Sequence, residues 1–316
     1  MLERFSKVMG EIEKDLGTND LNVLVLTALR DSLRHYKGRT VEESLSQLEE
    51  IIHIFNNTDP RYAIVIYNIH AVYKEIKNIL QKDAKSDHPY ESHKKAIVNS
   101  VNSLLKNASS LRDQILERTE ALNVEGKTIL IHDHSHTVQD VLHRLKKKGQ
   151  KFRILVAEQD MEKTLRNIEL LTAHKIPFQV VPAHMLSNIE DEIDMCFFGA
   201  LTLKSTYDFV VDTGTNAIIS EFHLQKKPIY VFLSSSKFSL WKARKKETTT
   251  KQVHTRKHPS KKIHFERFKF SHDRVPLSSV DFVITEEGIF DSHGIKKLYQ
   301  EKFREHEDLI MEINGI

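Results

Sequence analysis

The stretch from Thr128 to Leu142 reads TILIHDHSHTVQDVL, and it decides the fold class of its half of the chain. Four apolar or β-favouring residues, 128–131, are followed at once by polar residues and then by an amphipathic segment, 137–147. A short buried strand that turns into an amphipathic helix is the unit from which parallel sheets are built. The stretch therefore predicts a βα unit in which residues 132–136 form the junction.

The same alternation continues along the rest of the chain, where short β-rich runs are separated by amphipathic helical segments. The predicted strands are Thr128–Ile131, Phe152–Ala157, Phe178–Val181, Met195–Phe198, Phe209–Val211, Ile229–Leu233 and Phe282–Thr285. Such an order of elements is typical of an open α/β sheet whose strands are mostly parallel. We therefore predict an α/β domain over residues 126–316.

Residues 1–125 have a different period, because their apolar residues recur every three or four positions. The predicted helices are an N-terminal stripe from Leu2 to Leu16, a helix from Asp20 to Tyr36, one from Thr40 to Phe55, one from Arg61 to Lys82, and a long one whose stripe runs from Ile97 to Ile115. Residues 83–92 are predicted to be a loop. This half is thus predicted to be a separate helical domain.

Composition excludes several classes of protein. The 316 residues are 40% hydrophobic and 29% charged, which excludes a wholly disordered chain. The single cysteine, Cys196, cannot form an internal disulfide, and we expect it to be buried within an apolar run. Without a secretory leader or a membrane-length apolar run, the expected location is the cytoplasm. The net charge of only +3 means that any attraction to nucleic acid must be local.

Four junctions beyond predicted strands are candidate ligand sites, because ligands of open parallel sheets bind beyond the carboxyl ends of the strands. They are His132–His136, Gly199–Leu201, Asp212–Asn216 and Ser234–Lys237. Neither a Walker A motif nor a dinucleotide glycine fingerprint is present, and no cofactor is predicted.

The first junction places His132, His134 and His136 around Asp133 and Ser135. Imidazole and carboxylate groups are common metal ligands, but the segment must soon become a helix and the spacing does not favour a metal centre. A loop that binds a phosphate or another polar ligand, and plain turn and capping chemistry, are the remaining interpretations. No metal site is predicted.

The other junctions have the same two interpretations. Gly214, Thr215 and Asn216 can form an anion cradle, in which glycine permits close backbone approach and the threonine adds a hydroxyl. They can equally form an ordinary strand-to-helix turn. Gly199 and Lys237 are the candidate ligand-binding residues of the two other junctions, and the alternative for Lys237 is a solvated side chain.

At these junctions the sequence resembles the family of eukaryotic translation initiation factor 2B alpha, beta and delta subunits, which also contains ribose-1,5-bisphosphate isomerase and methylthioribose-1-phosphate isomerase. The resemblance is carried by TILIHDHSHTVQDVL from Thr128, FFGALTLKSTYDFVVDTGTNAII from Phe197, KPIYVFLSSSKF from Lys227 and VDFVITEEGIF from Val280. It implies a helical N-terminal domain followed by a Rossmann-like domain. The SSSKF segment is most similar to the alpha subunit.

The departures from the isomerases concern the residues that the resemblance implies for catalysis. Asp133 stands where the isomerases have a cysteine, and Leu201 stands where they have the aspartate of a Gly-Ala-Asp turn. Val211 and Asp212 replace an Asn-Lys pair. Leucine cannot transfer a proton, and replacing lysine by aspartate is adverse beside a phosphate.

These observations favour a binding or regulatory protein similar to the initiation factor 2B alpha subunit, with a pocket for a sugar phosphate or nucleotide and with self-association or assembly with related subunits. The alternative is a sugar-phosphate isomerase in which Asp133 and Asp212 form a new acid–base pair. No catalytic residue is assigned under the first hypothesis.

A basic insertion interrupts the α/β pattern at residues 242–269 and is predicted to be a long loop. Eleven lysines and arginines there face two acidic residues, Glu247 and Glu266. A solvated insertion is the simpler interpretation, and contact with the phosphates of a nucleic acid or with an acidic partner is the other.

Overall fold

A computed structural model describes residues 2–35, 41–58, 61–83, 90–132, 134–158, 161–242, 251–257, 264–270 and 272–315. Asp133, one of the candidate acid–base residues, lies outside these ranges, as do residues 243–250 and 258–263 of the basic insertion. Within the described ranges, no helix is long and apolar enough to cross a membrane.

The first part of the chain is helical, as its periodicity predicts. The helices are α1 (Leu2–His35), α2 (Val41–Asn56), α3 (Ala63–Asp83) and α4 (Tyr90–Thr119). The two helices predicted before residue 37 form one element, which is interrupted at Gly17, where φ is 77°. Glycine adopts this conformation without the steric cost that a Cβ would bring. Of the predicted loop, residue 83 belongs to α3 and residues 90–92 belong to α4, whereas residues 84–89 lie outside the described ranges.

The chain divides into two compact units, of which the first contains residues 1–114, 236–241 and 301–316. It includes α9 (Glu307–Gly315) and the short strand β8 (Phe238–Ser239). Tyr67 on α3 anchors the strand segment, since its hydroxyl donates to the Phe238 carbonyl at 2.7 Å and accepts from the Leu240 amide at 3.0 Å. This unit is therefore assembled from segments that are distant in sequence.

The second unit contains residues 115–235 and 242–300 and is built on a seven-stranded sheet. The strands of this sheet are β1 (Thr128–Ile131), β2 (Arg153–Glu158), β3 (Phe178–Pro182), β4 (Met195–Gly199), β7 (Ile229–Phe232), β12 (Phe282–Thr285) and β13 (Gly288–Phe290). Their order is β13-β12-β7-β4-β1-β2-β3, and only the β12–β13 pair is antiparallel. The mostly parallel α/β sheet is thus confirmed.

The helices that follow strands β1, β2, β6 (Asp208–Asp212) and β13 in the chain are α5 (His136–Lys147), α6 (Met161–Ala173), α7 (Thr215–Leu224) and α8 (Ser292–Glu305). The apolar face of α5 packs in the core with residues of β1 and β2, including Val141, Leu145, Ile129 and Ile154. Cys196 on β4 is fully buried, as predicted, and burial raises the pKa of its thiol.

One predicted strand of the sheet belongs elsewhere. The run 209–211 lies in β6 (Asp208–Asp212), which pairs antiparallel with β5 (Thr202–Lys204) and β11 (His272–Pro276) in a different sheet. The prediction of a strand is confirmed, but its assignment to the parallel sheet is wrong, because apolar β-favouring residues identify a strand without identifying its partner.

The prediction of a long loop at 242–269 is also wrong in part. Residues of the insertion form β9 (Lys251–Lys257) and β10 (His264–Phe270), which pair antiparallel as a separate two-stranded sheet. Apolar periodicity misses these strands because so many of their residues are basic.

Candidate functional site

The strand order reverses between β1 and β4, since the chain runs outward from β1 to β2 and β3 on one side and to β4, β7 and β12 on the other. In sheets of this kind the crevice beyond the carboxyl ends of the two central strands is the usual ligand site. Two of the predicted junctions, 132–136 and 199–201, follow these strands directly.

His132, which follows β1, connects three segments of the site. Its side chain is 3% exposed, with Nδ1 3.3 Å from the Ala157 carbonyl oxygen and Nε2 3.4 Å from that of Thr213. Burial lowers the pKa of this imidazole, so the neutral ring, which has one N–H group, donates to only one of the two carbonyls. His132 thus joins the end of β2 to the segment that precedes α7.

Gly214 has to be glycine because of this histidine. Its φ is +95°, and a Cβ built there would lie 3.0 Å from His132 Nε2. Both the backbone conformation and the available space therefore exclude a larger residue at this turn. The role of glycine here is to allow the close approach of α7 to the β1 junction.

His134 is half-buried and is held as a neutral ring. Its Nδ1 accepts from the Gln139 side-chain nitrogen at 2.8 Å, and the same nitrogen donates to Asn167 Oδ1 at 2.9 Å. Burial is the main cause that lowers the pKa of His134 to about 4, and the neighbouring charges of His136, Arg166 and Lys163 lower it further. The rings of His134 and His136 meet edge to face at 4.9 Å between centroids.

Two cations from α6 belong to this group of side chains, although sequence reasoning did not identify them. Lys163 forms an ion pair and hydrogen bond with Asp212, and the two side chains are only 16% and 22% exposed. Arg166 pairs with Glu162 at 2.8 Å. The only sequence signal for these two site residues was their spacing of one helical turn just after the carboxyl end of β2.

The amides of the third junction bind a carboxylate of the chain itself. The Gly214 and Asn216 backbone N–H groups donate to Asp273 Oδ2 at 2.7 and 3.2 Å. Thr215 is fully buried, and its hydroxyl has no hydrogen-bond partner among the described residues. Two amides at this strand-to-helix turn therefore bind an anionic group, and that group is the Asp273 carboxylate of the chain itself.

The fourth junction has a similar arrangement. Glu286, which is buried, accepts hydrogen bonds from the Ser234 hydroxyl at 3.1 Å and from the Ser235 amide and hydroxyl at 3.0 and 2.6 Å. Lys237 is buried in the helical unit rather than solvated. The serines of this junction thus donate hydrogen bonds to a carboxylate of the chain itself.

Ser135 and Gly199, the remaining candidate residues, take part in the local backbone structure. Ser135 is the N-cap of α5, where its hydroxyl accepts from the Val138 amide at 3.4 Å. Gly199 ends β4, and after it the Leu201 amide donates to the Val210 carbonyl at 2.9 Å. The chain crosses there from the parallel sheet to the antiparallel one. Within the described ranges, no three His, Cys, Asp or Glu residues are grouped as metal ligands.

Comparison with known proteins agrees with this architecture. Residues 14–292 match the sequence model of the initiation factor 2 subunit family. The chain is 23% identical over 234 residues to translation initiation factor eIF2B subunit alpha of Dictyostelium discoideum, an alignment that covers 73% of this chain and 70% of that protein.

Solved structures show the same fold at low identity. A chain of the tetrameric eIF2B-beta2-delta2 complex from Chaetomium thermophilum superposes with a TM-score of 0.66 at 17% identity, covering 90% of this chain and 88% of that one. The 5-methylthioribose 1-phosphate isomerase from Pyrococcus horikoshii superposes with a TM-score of 0.65 at 16% identity, covering 93% and 87%. A translation factor and an enzyme thus share this fold.

Proposed function

Because the chain belongs to the initiation factor 2 subunit family, we propose that it is a regulatory or binding subunit similar to eIF2B subunit alpha, and not an isomerase. It binds a phosphorylated small molecule at the β1–α6–α7 site, and it assembles with copies of itself or with related subunits.

The ion pair between Lys163 and Asp212 carries this proposal. An isomerase needs a group that takes a proton from the sugar and returns it. The Asp212 carboxylate, which is the described candidate for that role, already accepts a hydrogen bond from the Lys163 ammonium group. Leu201 cannot replace it, because its side chain has no ionisable group. These contacts support a site that binds a ligand without transferring a proton.

The same residues indicate how a phosphorylated ligand binds. Lys163 and Arg166 supply positive charge, and His134 supplies a neutral ring whose Nε2 carries the proton and can donate it. Two carboxylates oppose the binding of a phosphate. Asp212 accepts from the Lys163 ammonium group and Asp273 accepts from the Gly214 amide, so each places a negative charge on a group that could otherwise bind the ligand. Affinity is consequently expected to be modest in the parent and limited by these carboxylates.

Thermal denaturation with and without ligand tests the proposed binding, and a turnover assay then tests for isomerisation. The ligands are ribose 1,5-bisphosphate, methylthioribose 1-phosphate and a nucleoside monophosphate. We expect stabilisation by at least one of them without isomerisation of either sugar, and a larger stabilisation of Asp273→Asn, which frees the α7 amides from a negative charge.

Asp281→Asn is the matched control. Asp281 also accepts from a backbone amide, that of Ile229 at 2.9 Å, but at the amino end of β7, away from the site. Ligand stabilisation should be unchanged in this variant. If none of the ligands stabilises the parent or Asp273→Asn, the chain has no such pocket.

The second candidate function is a sugar-phosphate isomerase with altered acid–base residues, which the structural likeness to the methylthioribose isomerase supports. Under this alternative, Asp133 and Asp212 perform proton transfer. Turnover by the parent that disappears in Asp133→Asn would establish the enzyme and refute the regulatory proposal.

Assembly is tested by light scattering. The likeness to a chain from a tetrameric complex supports self-association or pairing with related subunits. We expect a dimer or larger species, and a monomer at tens of micromolar would contradict the assembly.

A further inference from the structure

Two amide side chains are buried where apolar residues would pack as well. Gln139 on α5 is 9% exposed and Asn167 on α6 is 1% exposed, and a hydrogen bond joins them. The other buried residues of α5 are apolar, namely Val138, Val141, Leu142 and Leu145. A buried pair of polar groups can be replaced by apolar groups of the same shape at little cost, so packing alone does not account for the two amides.

Hydrogen bonds fix the orientation of the Gln139 amide. Its nitrogen Nε2 donates to Asn167 Oδ1 at 2.9 Å and to His134 Nδ1 at 2.8 Å. An amide nitrogen has two protons and does not accept, so both N–H groups of Gln139 are used. If the amide were rotated by half a turn, its oxygen would face the Asn167 oxygen, and two acceptors would be in contact. Asn167 therefore determines which end of Gln139 meets the histidine.

The orientation of Gln139 in turn determines the tautomer of His134. Because Nδ1 accepts, the single proton of the neutral ring is on Nε2. The ring stays neutral, since burial is the main cause that lowers its pKa, and nearby positive charges, including those of Arg166 and Lys163, lower it further. The candidate site therefore contains a hydrogen-bond donor that carries no charge.

Such a donor suits a phosphorylated ligand, because the oxygens of a phosphate group are strong acceptors. The other tautomer of His134 would present a lone pair to the phosphate and repel it. We propose that Gln139 and Asn167 are positioning residues, which hold the proton of His134 on Nε2 so that the ring donates to the ligand. The contact with the ligand rests on the proposed function, whereas the position of the proton does not.

Nuclear magnetic resonance of the full chain, with isotopically labelled histidine nitrogens, tests the position of the proton. The signals of His134 are identified by their loss in His134→Gln. In the parent we expect the proton on Nε2 alone. Gln139→Glu should move it to Nδ1, because a carboxylate only accepts. Asn167→Leu should give both tautomers, because Gln139 is then free to present either end of its amide to the ring.

Titration calorimetry with ribose 1,5-bisphosphate tests the contact with the ligand. Thr137→Glu is the matched control for Gln139→Glu, because it adds the same charge to the first turn of α5 and leaves the amide chain intact. At about pH 8 we expect Gln139→Glu to bind about tenfold more weakly than Thr137→Glu, since the ring no longer donates from Nε2.

The difference between the two variants should depend on pH. The carboxylate of Gln139→Glu favours the charged ring, and an imidazolium donates from both nitrogens. As the pH falls towards about 6, the affinity of Gln139→Glu should therefore return to that of Thr137→Glu. The other charged groups near the ring are common to both variants. They are His136, Arg166, Lys163 and Asp212.

Two results would overturn the positioning role, namely a proton on Nδ1 in the parent or a single Nε2–H tautomer in Asn167→Leu. Equal affinities of Gln139→Glu and Thr137→Glu at about pH 8 would show that only the added charge matters, and would overturn the contact with the ligand. If the parent has the expected tautomer and does not bind ribose 1,5-bisphosphate, the proposed function fails and the ligand contact with it, whereas the positioning of the proton stands. A cooperative thermal transition shows that each variant is folded.

Discussion

Acid should destabilise this protein in part through His134, and His134→Gln isolates that contribution. In the folded chain, Nδ1 of His134 accepts from Gln139, so a proton placed there would face an amide N–H instead of an acceptor. Burial, together with the positive charges of Arg166 and Lys163, also opposes protonation. Glutamine provides a polar side chain that does not titrate.

The magnitude follows from the difference in pKa between the unfolded and folded states. The pKa falls from 6.5 to about 4, so the unfolded chain binds the proton first as the pH decreases. Protonation of His134 therefore does not affect the free energy of unfolding above about pH 7, and it lowers this free energy progressively as the pH falls from 6.5 towards 4. At about pH 5 the expected loss due to this one group is about 2 kcal/mol, from 1.36 kcal/mol per pKa unit.

Urea denaturation at about pH 7.5 and about pH 5, followed by circular dichroism, measures this loss. The parent should lose about 2 kcal/mol more between the two conditions than His134→Gln does, and the exposed His184→Gln should behave like the parent. Burial also lowers the pKa of His132, His143 and His306, but these groups are common to all three proteins and cancel in the comparison. Equal acid sensitivity in the parent and His134→Gln would refute the assignment of a neutral, amide-bonded ring.

Three further outcomes follow from the geometry of the α/β unit. Gly214→Ala should destabilise the protein by about 2–3 kcal/mol, measured by urea denaturation, whereas Gly149→Ala should destabilise it by only about 1 kcal/mol through backbone strain, because Gly149 has a similar φ of +88° but open space around it. Equal losses in the two variants would mean that contact with His132 is unimportant. Glu286→Gln should cost about 1–3 kcal/mol, because the amide nitrogen that replaces Oε2 cannot accept the hydrogen bond of the Ser235 backbone N–H. An unchanged denaturation midpoint would contradict the role of this buried carboxylate. Cys196 should react with a thiol reagent only on unfolding, since it is buried and its pKa is raised; rapid labelling of the native chain would show that β4 is accessible.

The local sequence pattern was sufficient to predict where strands lie but not with which strands they pair. The strands Thr128–Ile131 and Phe282–Thr285 coincide with β1 and β12, because a short apolar run with sharp polar boundaries has few alternatives. The run 209–211 has the same pattern but pairs in another sheet. The three-residue strand β13, with a half-exposed pattern, completes the parallel sheet instead, and nothing in its composition distinguishes it from a turn.

By itself the sequence determined the fold class, the family resemblance and the junctions at which polar side chains gather, because these depend on residues close together in the chain. Only the tertiary structure decided what those junctions contain. Asp273 is 59 residues from the Gly214 amide that it binds, Glu286 is 51 residues from Ser235, and Lys163 is 49 residues from Asp212. Hydrogen bonds and ion pairs act over a few ångströms, and the distances that matter to them are set by the packing of strands and helices rather than by spacing along the chain.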